Sequence, residues 1–168
     1  MSEVTRICFV CLGNIVRSPL AENMFMHLAD EANVAHKYEV DSAGTSGYHI
    51  GESPDPRMRR VAARYGLHYD GRARKFTPQD FDRFDLIIPM SPNNRDDLLR
   101  IAPDDDSEGK IHLLREFDPQ GGPDASVPDP YYGGIEGFEE VYKIVERSCR
   151  GLLRELEDEP EHDPGKSS

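Results

Sequence analysis

A cysteine placed six residues before an arginine, in Cys11-Leu-Gly-Asn-Ile-Val-Arg17, lies near the start of this chain and is followed at once by Ser18 and Pro19. The spacing suits a tetrahedral dianion. Backbone N–H groups in a tight loop converge on the oxygens of such a group, and the N-terminus of a following helix adds about half a positive charge. Gly13 lets the loop close without a Cβ clash, and Arg17 supplies a planar fork whose paired donors match two oxygens as a lysine cannot. The same field acts on sulfur, because cysteines at helix N-termini beside cations are favoured as thiolates. A Cys11 thiolate could attack phosphorus in line while Arg17 and the amides of Leu12, Gly13, Asn14, Ile15, Val16 and Ser18 stabilise the equatorial oxygens. This chemistry calls for no metal and no cofactor. Ser18 is expected both to cap the helix and to donate its hydroxyl to the sulfur.

Such a loop must hang between a strand and a helix, and the sequence supplies both. Arg6–Cys11 is a short apolar run ending at turn residues, which reads as a buried strand. Ser18-Pro19 starts a helix, with Leu20, Met24, Phe25 and Leu28 at helical spacing. Further strands are expected at Lys37–Ser42, Asp85–Met90 and Lys110–Leu114, and helices after Asp55-Pro56 and over Pro92–Ile101. From Ile135, an apolar stripe through Phe138, Val145, Cys149 and Leu156 marks a closing amphipathic helix, with Cys149 as a small core residue. The alternation predicts an α/β fold: a single-domain three-layer sandwich with a central four-stranded parallel sheet and helices on both faces. Ligands in such sheets bind at the carboxyl ends of the strands, where the Cys11 loop lies. The domain is expected to span residues 1–156, leaving the acidic stretch 157–168, with no apolar residue, as a disordered tail.

Composition narrows the function classes. The chain has 168 residues, 37% apolar and 31% charged, which suits one folded domain. Its net charge of −12 argues against a nucleic acid or an anionic membrane as partner. The charge is uneven: residues 1–75 carry 10 Lys and Arg against 9 Asp and Glu, the remainder 10 against 23, so an anion belongs to the first half. No apolar run is long enough to span a bilayer and no signal pattern opens the chain, so a cytoplasmic protein is expected. Three cysteines without framework spacing are expected to be thiols, and the six histidines form no ligand cluster.

A leaving phenolate or alkoxide needs a proton, and an Asp held over the loop can give it. The residues alone offer Asp118, Asp124 and Asp129, each in a Pro-rich loop, and spacing does not choose among them. The stretch Val10–Pro19 resembles the signature loop of the low-molecular-weight protein tyrosine phosphatases, and Asp41-Ser-Ala-Gly44, Ser53-Pro-Asp-Pro56 and Asp129-Pro-Tyr-Tyr132 resemble that family's other landmarks in the same order. The likeness covers about residues 4–156. It implies hydrolysis of protein phosphotyrosine and small aryl phosphates through a phosphocysteine, with Cys11, Arg17 and Asp129 catalytic. Asn14, Ser18 and Ser42 would support the loop, while Leu12, Ile15, Tyr48 and Tyr131 would line a slot for the phenyl ring. Phosphate-like oxyanions are expected to inhibit.

The match departs in two places. Val16 stands where relatives commonly carry a second loop cysteine, and Gly71 stands near the position of a supporting histidine. Two other activities remain in view. Relatives acting as protein-arginine phosphatases carry a small polar residue where this chain has Ile15, and Cys8-Phe-Val-Cys11 has the spacing of a thiol redox pair, as in enzymes of the arsenate reductase type. A non-catalytic phosphate-binding module is a further reading, one that would not need Asp129.

Overall fold

A computed structural model describes residues 4–131 and 133–158. The strands are β1 (Thr5–Cys11), β2 (Tyr38–Gly44) and β3 (Leu86–Pro89). The helices are α1 (Arg17–Glu31), α2 (Pro56–Arg64), α3 (Asp80–Arg83), α4 (Pro92–Ile101), α5 (Asp105–Glu108) and α6 (Ile135–Asp158), with 3₁₀ turns at Ala35–Lys37 and Leu114–Phe117. β1 lies between β2 and β3, and both pairings are parallel. Its side chains alternate between two cores. Ile7, Phe9 and Cys11 pack with residues of α1, α2 and α6, while Cys8 and Val10 pack with Phe76, Phe81 and Leu98 on the opposite face. A strand buried on both faces has no polar side, which is why Ile7–Cys11 reads as a continuous apolar run. The register sets Cys11 beside Gly44 and Val10 beside Pro89, so the carboxyl ends of the strands meet where the loop begins.

The helix ends follow their local chemistry. The Asp55 carboxylate accepts from the Arg57 N–H and Pro56 opens α2, while the Ser91 hydroxyl accepts from the Asn94 N–H ahead of α4. In α6, Phe138, Val141, Val145, Cys149 and Leu152 form the buried stripe.

Three expectations need correction. The sheet among the described residues has three strands rather than four. Lys110–Leu114 contributes a single parallel bridge, Ile87 to Ile111. The Leu113 N–H then donates to the Glu116 carboxylate at 3.0 Å instead of to a neighbouring strand, and the chain curls into the 3₁₀ turn at Leu114–Phe117. Ser18 does not cap α1. The helix starts two residues earlier than expected, at Arg17 with Val16 in the N-cap position, and the Ser18 hydroxyl is used at the loop instead. Finally, Glu157 and Asp158 belong to α6, and Glu157 accepts hydrogen bonds from Lys37 and from the Tyr38 hydroxyl. The rest of the expected tail, 159–168, lies outside the described residues, as does Tyr132.

Asp118 shows how the closing helix is fastened. Its buried carboxylate accepts from Arg147 Nε at 2.8 Å, from Arg115 Nε at 2.9 Å and from the Gln120 N–H at 2.9 Å. Burial alone would raise its pKa, but these donors, Arg147 foremost, hold it below the usual carboxylate range. Asp118→Asn should therefore lower unfolding free energy in urea by about 2 to 3 kcal/mol at pH 7, because two guanidiniums lose their shared anion. A depressed native pKa contributes stability above the unfolded value of about 3.9 and loses it as pH falls, so the gap between wild type and variant should close under acid conditions.

Candidate active site

The Cys11 loop is shaped from behind by one side chain. Asn14 adopts φ 60, a left-handed conformation uncommon for a residue with a Cβ. Its amide meets three partners: Nδ2 donates to Ser18 Oγ at 2.9 Å and to Ser42 Oγ at 3.0 Å, and Oδ1 accepts from the Arg74 N–H at 2.9 Å. Ser42 in turn donates to Glu22 Oε1 at 2.7 Å. The Arg74 side chain is fastened to Asp80 at 3.0 Å and to Asp41 at 3.1 Å. A support for Asn14 is thus present without a histidine at Gly71.

With the loop turned this way, its carbonyls face outward. Those of Cys11, Leu12 and Ile15 accept from the backbone N–H groups of Thr45, Ser46 and Asp55. Among the described residues, none of the N–H groups of residues 12–16 donates a backbone hydrogen bond outside the helices and strands. These amides and the start of α1 face the same hollow, which suits an anion. Cys11 Sγ lies at its base, 3.1 Å from Ser18 Oγ and 3.4 Å from the Ser18 N–H. When the sulfur is ionised, the hydroxyl is the donor.

Arg17 is buried, and its guanidinium is aimed by the Val127 carbonyl, which accepts from Nη1 at 3.0 Å. Its Nη2 lies 3.6 Å from Asp129 Oδ2. Asp129 is held by the Tyr131 N–H, which donates to Oδ1 at 3.1 Å. A cavity of about 310 Å³ opens over this group and is walled by Leu12, Ile15, Tyr48, His49 and Tyr131. Tyr131 packs against Arg57, whose guanidinium lies 5.1 Å from the ring centroid. Tyr48 is 86% exposed, so one wall stands out in solvent.

The structure brings Cys11, the loop, Arg17, Asp129, Leu12, Ile15, Tyr48 and Tyr131 to one cavity, and places Asn14, Ser18 and Ser42 behind it. It separates the three aspartates: Asp118 is buried in its ion network, Asp124 pairs with Arg95 at the surface, and Asp129 faces the cavity. Sequence reasoning missed Arg74, Glu22 and His49. His49 packs edge-on to Tyr48 at 5.4 Å and lies 2.9 Å from Glu52. Cys8 and Cys149 are fully buried, Cys8 on the far face of the sheet. No cluster of three or more metal-ligating side chains occurs among the described residues.

A cysteine beneath a ring of inward amides, with a buried arginine beside it and an aspartate across the cavity, defines a cysteine-based phosphatase on a parallel α/β sheet. The profile of the family described as low molecular weight phosphotyrosine protein phosphatase matches residues 6–162. A low molecular weight protein-tyrosine-phosphatase of Streptomyces coelicolor is 45% identical over 157 residues, 93% of this chain and 96% of its own length. The Homo sapiens low molecular weight phosphotyrosine protein phosphatase is 43% identical over 148 residues, 88% of this chain and 92% of its own. The crystal structure of a protein tyrosine phosphatase from Entamoeba histolytica, with Hepes in its active site, matches with a TM-score of 0.88 at 38% identity, covering 93% of this chain and 99% of that one. The chain belongs to the low molecular weight phosphotyrosine protein phosphatase family and is a phosphotyrosine phosphatase.

Two outcomes follow from the scaffold behind the loop. Asn14→Ala should lose stability through its unpaired neighbours and its left-handed backbone, whereas Asn14→Gly removes the same hydrogen bonds without the backbone penalty. The glycine variant should be the more stable by about 1 kcal/mol, with both losing turnover, as urea unfolding and a phosphotyrosine assay would show. Burial pushes the Glu22 carboxyl up to about 7, with the Ser42 hydrogen bond offsetting only part of the rise. A raised carboxyl pKa means that the folded chain holds a proton the unfolded one has released, so this contribution is full below about pH 4.3 and is lost as pH climbs through 7. Urea midpoints at pH 5 and pH 8 should therefore differ less in Glu22→Gln than in the wild type.

Proposed function

We propose that Cys11 is the nucleophile of this phosphatase and Asp129 its general acid. The Cys11 thiolate attacks the phosphorus of phosphotyrosine, forming an S–P bond as the P–O bond to the phenol breaks. Asp129 gives its proton to the departing phenolate oxygen. Water then attacks the phosphocysteine, Asp129 takes a proton from that water, and the S–P bond breaks to release inorganic phosphate and restore the thiolate. Arg17 and the amides of residues 12–18 hold the three equatorial oxygens in both steps, and Ser18 donates to the sulfur as it leaves.

The observation that carries this reading is the convergence of Cys11, Arg17 and Asp129 on one cavity, with Asp129 Oδ2 3.6 Å from Arg17 Nη2. The walls support the choice of substrate. Ile15, Tyr131 and Leu12 offer apolar surface to a phenyl ring, and a phosphoserine side chain is too short to reach the sulfur past them. Ile15 gives a guanidinium no polar partner, so protein-arginine phosphatase activity is not favoured. A redox relay is disfavoured as well, because Cys8 and Cys149 lie in the cores. The natural substrates are phosphotyrosine proteins of the cytoplasm, and phosphate, vanadate and similar oxyanions compete for the loop. No helix among the described residues is long and apolar enough to cross a membrane.

Asp129→Asn should lower kcat on phosphotyrosine by about 10²- to 10³-fold while vanadate still binds, and Cys11→Ser should abolish turnover. Hydrolysis surviving in the serine variant, or full turnover in the asparagine variant, removes that residue from its role.

A further inference from the structure

A second cavity, of about 380 Å³, abuts the catalytic one and shares Leu12 and Ser46 with it as a common wall. Its floor is apolar: Phe76 and Leu98 are buried there as part of the core on the far face of the sheet. Its rim carries Ile101 from the end of α4, 41% exposed, opposite Leu12, 49% exposed. Three charged groups line it. Asp97 and Arg100 are paired with each other at 2.6 Å, while no carboxylate among the described residues lies within ion-pairing distance of the Lys75 ammonium. The exposed apolar side chains Leu12, Tyr48 and Ile101 line the two adjoining cavities, and Ile50 borders Gly47 together with the Lys75 stem. Exposed apolar groups collected at a cleft mark recognition, whereas single ones need no explanation.

A phosphotyrosine ring fills the first cavity, and the polypeptide carrying it must then cross the rim. Successive Cα atoms are about 3.8 Å apart and side chains of an extended chain alternate in direction, so a side chain one or two residues from the phosphotyrosine reaches the next hollow over Leu12. We propose that this second cavity seats a residue flanking the phosphotyrosine of a polypeptide substrate. The residue it selects is a large apolar one, packed against Leu12 and Ile101 over the buried Phe76 and Leu98, with an acidic residue beside it facing Lys75. This selectivity rests on the phosphotyrosine hydrolysis described above and adds the sequence context of the substrate to it. Local attraction by Lys75 matters in a chain of net charge −12, which otherwise repels acidic peptides.

The test is kcat/KM on phosphotyrosine peptides whose neighbours on either side are Ala-Ala, Leu-Ala or Leu-Glu, measured beside p-nitrophenyl phosphate, which has no flanking residues. The wild type should prefer Leu-Glu over Ala-Ala on one side by about tenfold, the usual scale for one filled apolar subsite with a charge contact. Ile101→Ser should abolish most of the leucine preference, and Lys75→Glu should cancel or invert the glutamate preference. Both residues are exposed, and each variant should keep p-nitrophenyl phosphate turnover within about twofold of wild type. Equal kcat/KM for all peptides in the wild type, or unchanged preferences in both variants, overturns the proposal. Loss of p-nitrophenyl phosphate hydrolysis by the wild type itself would instead overturn the catalytic reading.

Discussion

Everything at the catalytic end of the sheet hangs from the Asn14 amide. A loop whose N–H groups all turn inward leaves its own carbonyls facing outward and forces at least one residue out of the common backbone regions. Asn14 takes that conformation, and its side chain stabilises the turn through hydrogen bonds to residues from α1, from β2 and from the Arg74 backbone. The order in this network is directional. The Asn14 N–H groups occupy lone pairs of both serines, so the Ser42 proton goes to Glu22, and the Ser18 proton has the sulfur at 3.1 Å and the Ala43 carbonyl at 3.4 Å as its acceptors. Pre-aimed donors of this kind need no reorganisation when charge develops on a phosphoryl group.

The loop itself was readable in the sequence because its chemistry is local. A strand, a glycine turn, an arginine and a helix start lie within fifteen residues, and each is dictated by the same anion. The helices at Asp55-Pro56 and Pro92 were readable for a similar reason, their caps being adjacent to their first turns. The scaffold was not. Arg74 meets Asn14 across sixty residues, and Glu22 meets Ser42 across twenty, distances over which an uncovered sequence pattern carries no signal. The fourth strand failed because a short apolar run does not by itself tell strand from turn: pairing stops after one bridge, and the Leu113 N–H goes to the Glu116 side chain three residues on. Ser18 failed as a helix cap because one hydroxyl cannot serve both the helix end and the sulfur, and the site took it.

The distribution of charge completes the account. Part of the acidic excess of the second half of the chain is paired with arginines: Asp118 with two, Asp80 with Arg74 and Arg83, Asp124 with Arg95. Burial alone would raise the Asp80 pKa, yet Arg74 and the Thr77 N–H bring it below the ordinary range, so it stays an anion in the second core and steadies the arginine behind the loop. Asp129 is the acidic group that lines the catalytic cavity itself.

Val127 has a double attachment. Its N–H donates to the Met90 carbonyl just beyond β3, and its own carbonyl receives the Arg17 guanidinium. Asp129 follows only two residues later, so the carboxylate rides on a tether of two peptide units anchored to the sheet. The position of that carboxylate relative to the Arg17 guanidinium is thereby set by the edge of the sheet, and a change at Val127 or Met90 reaches both groups at once.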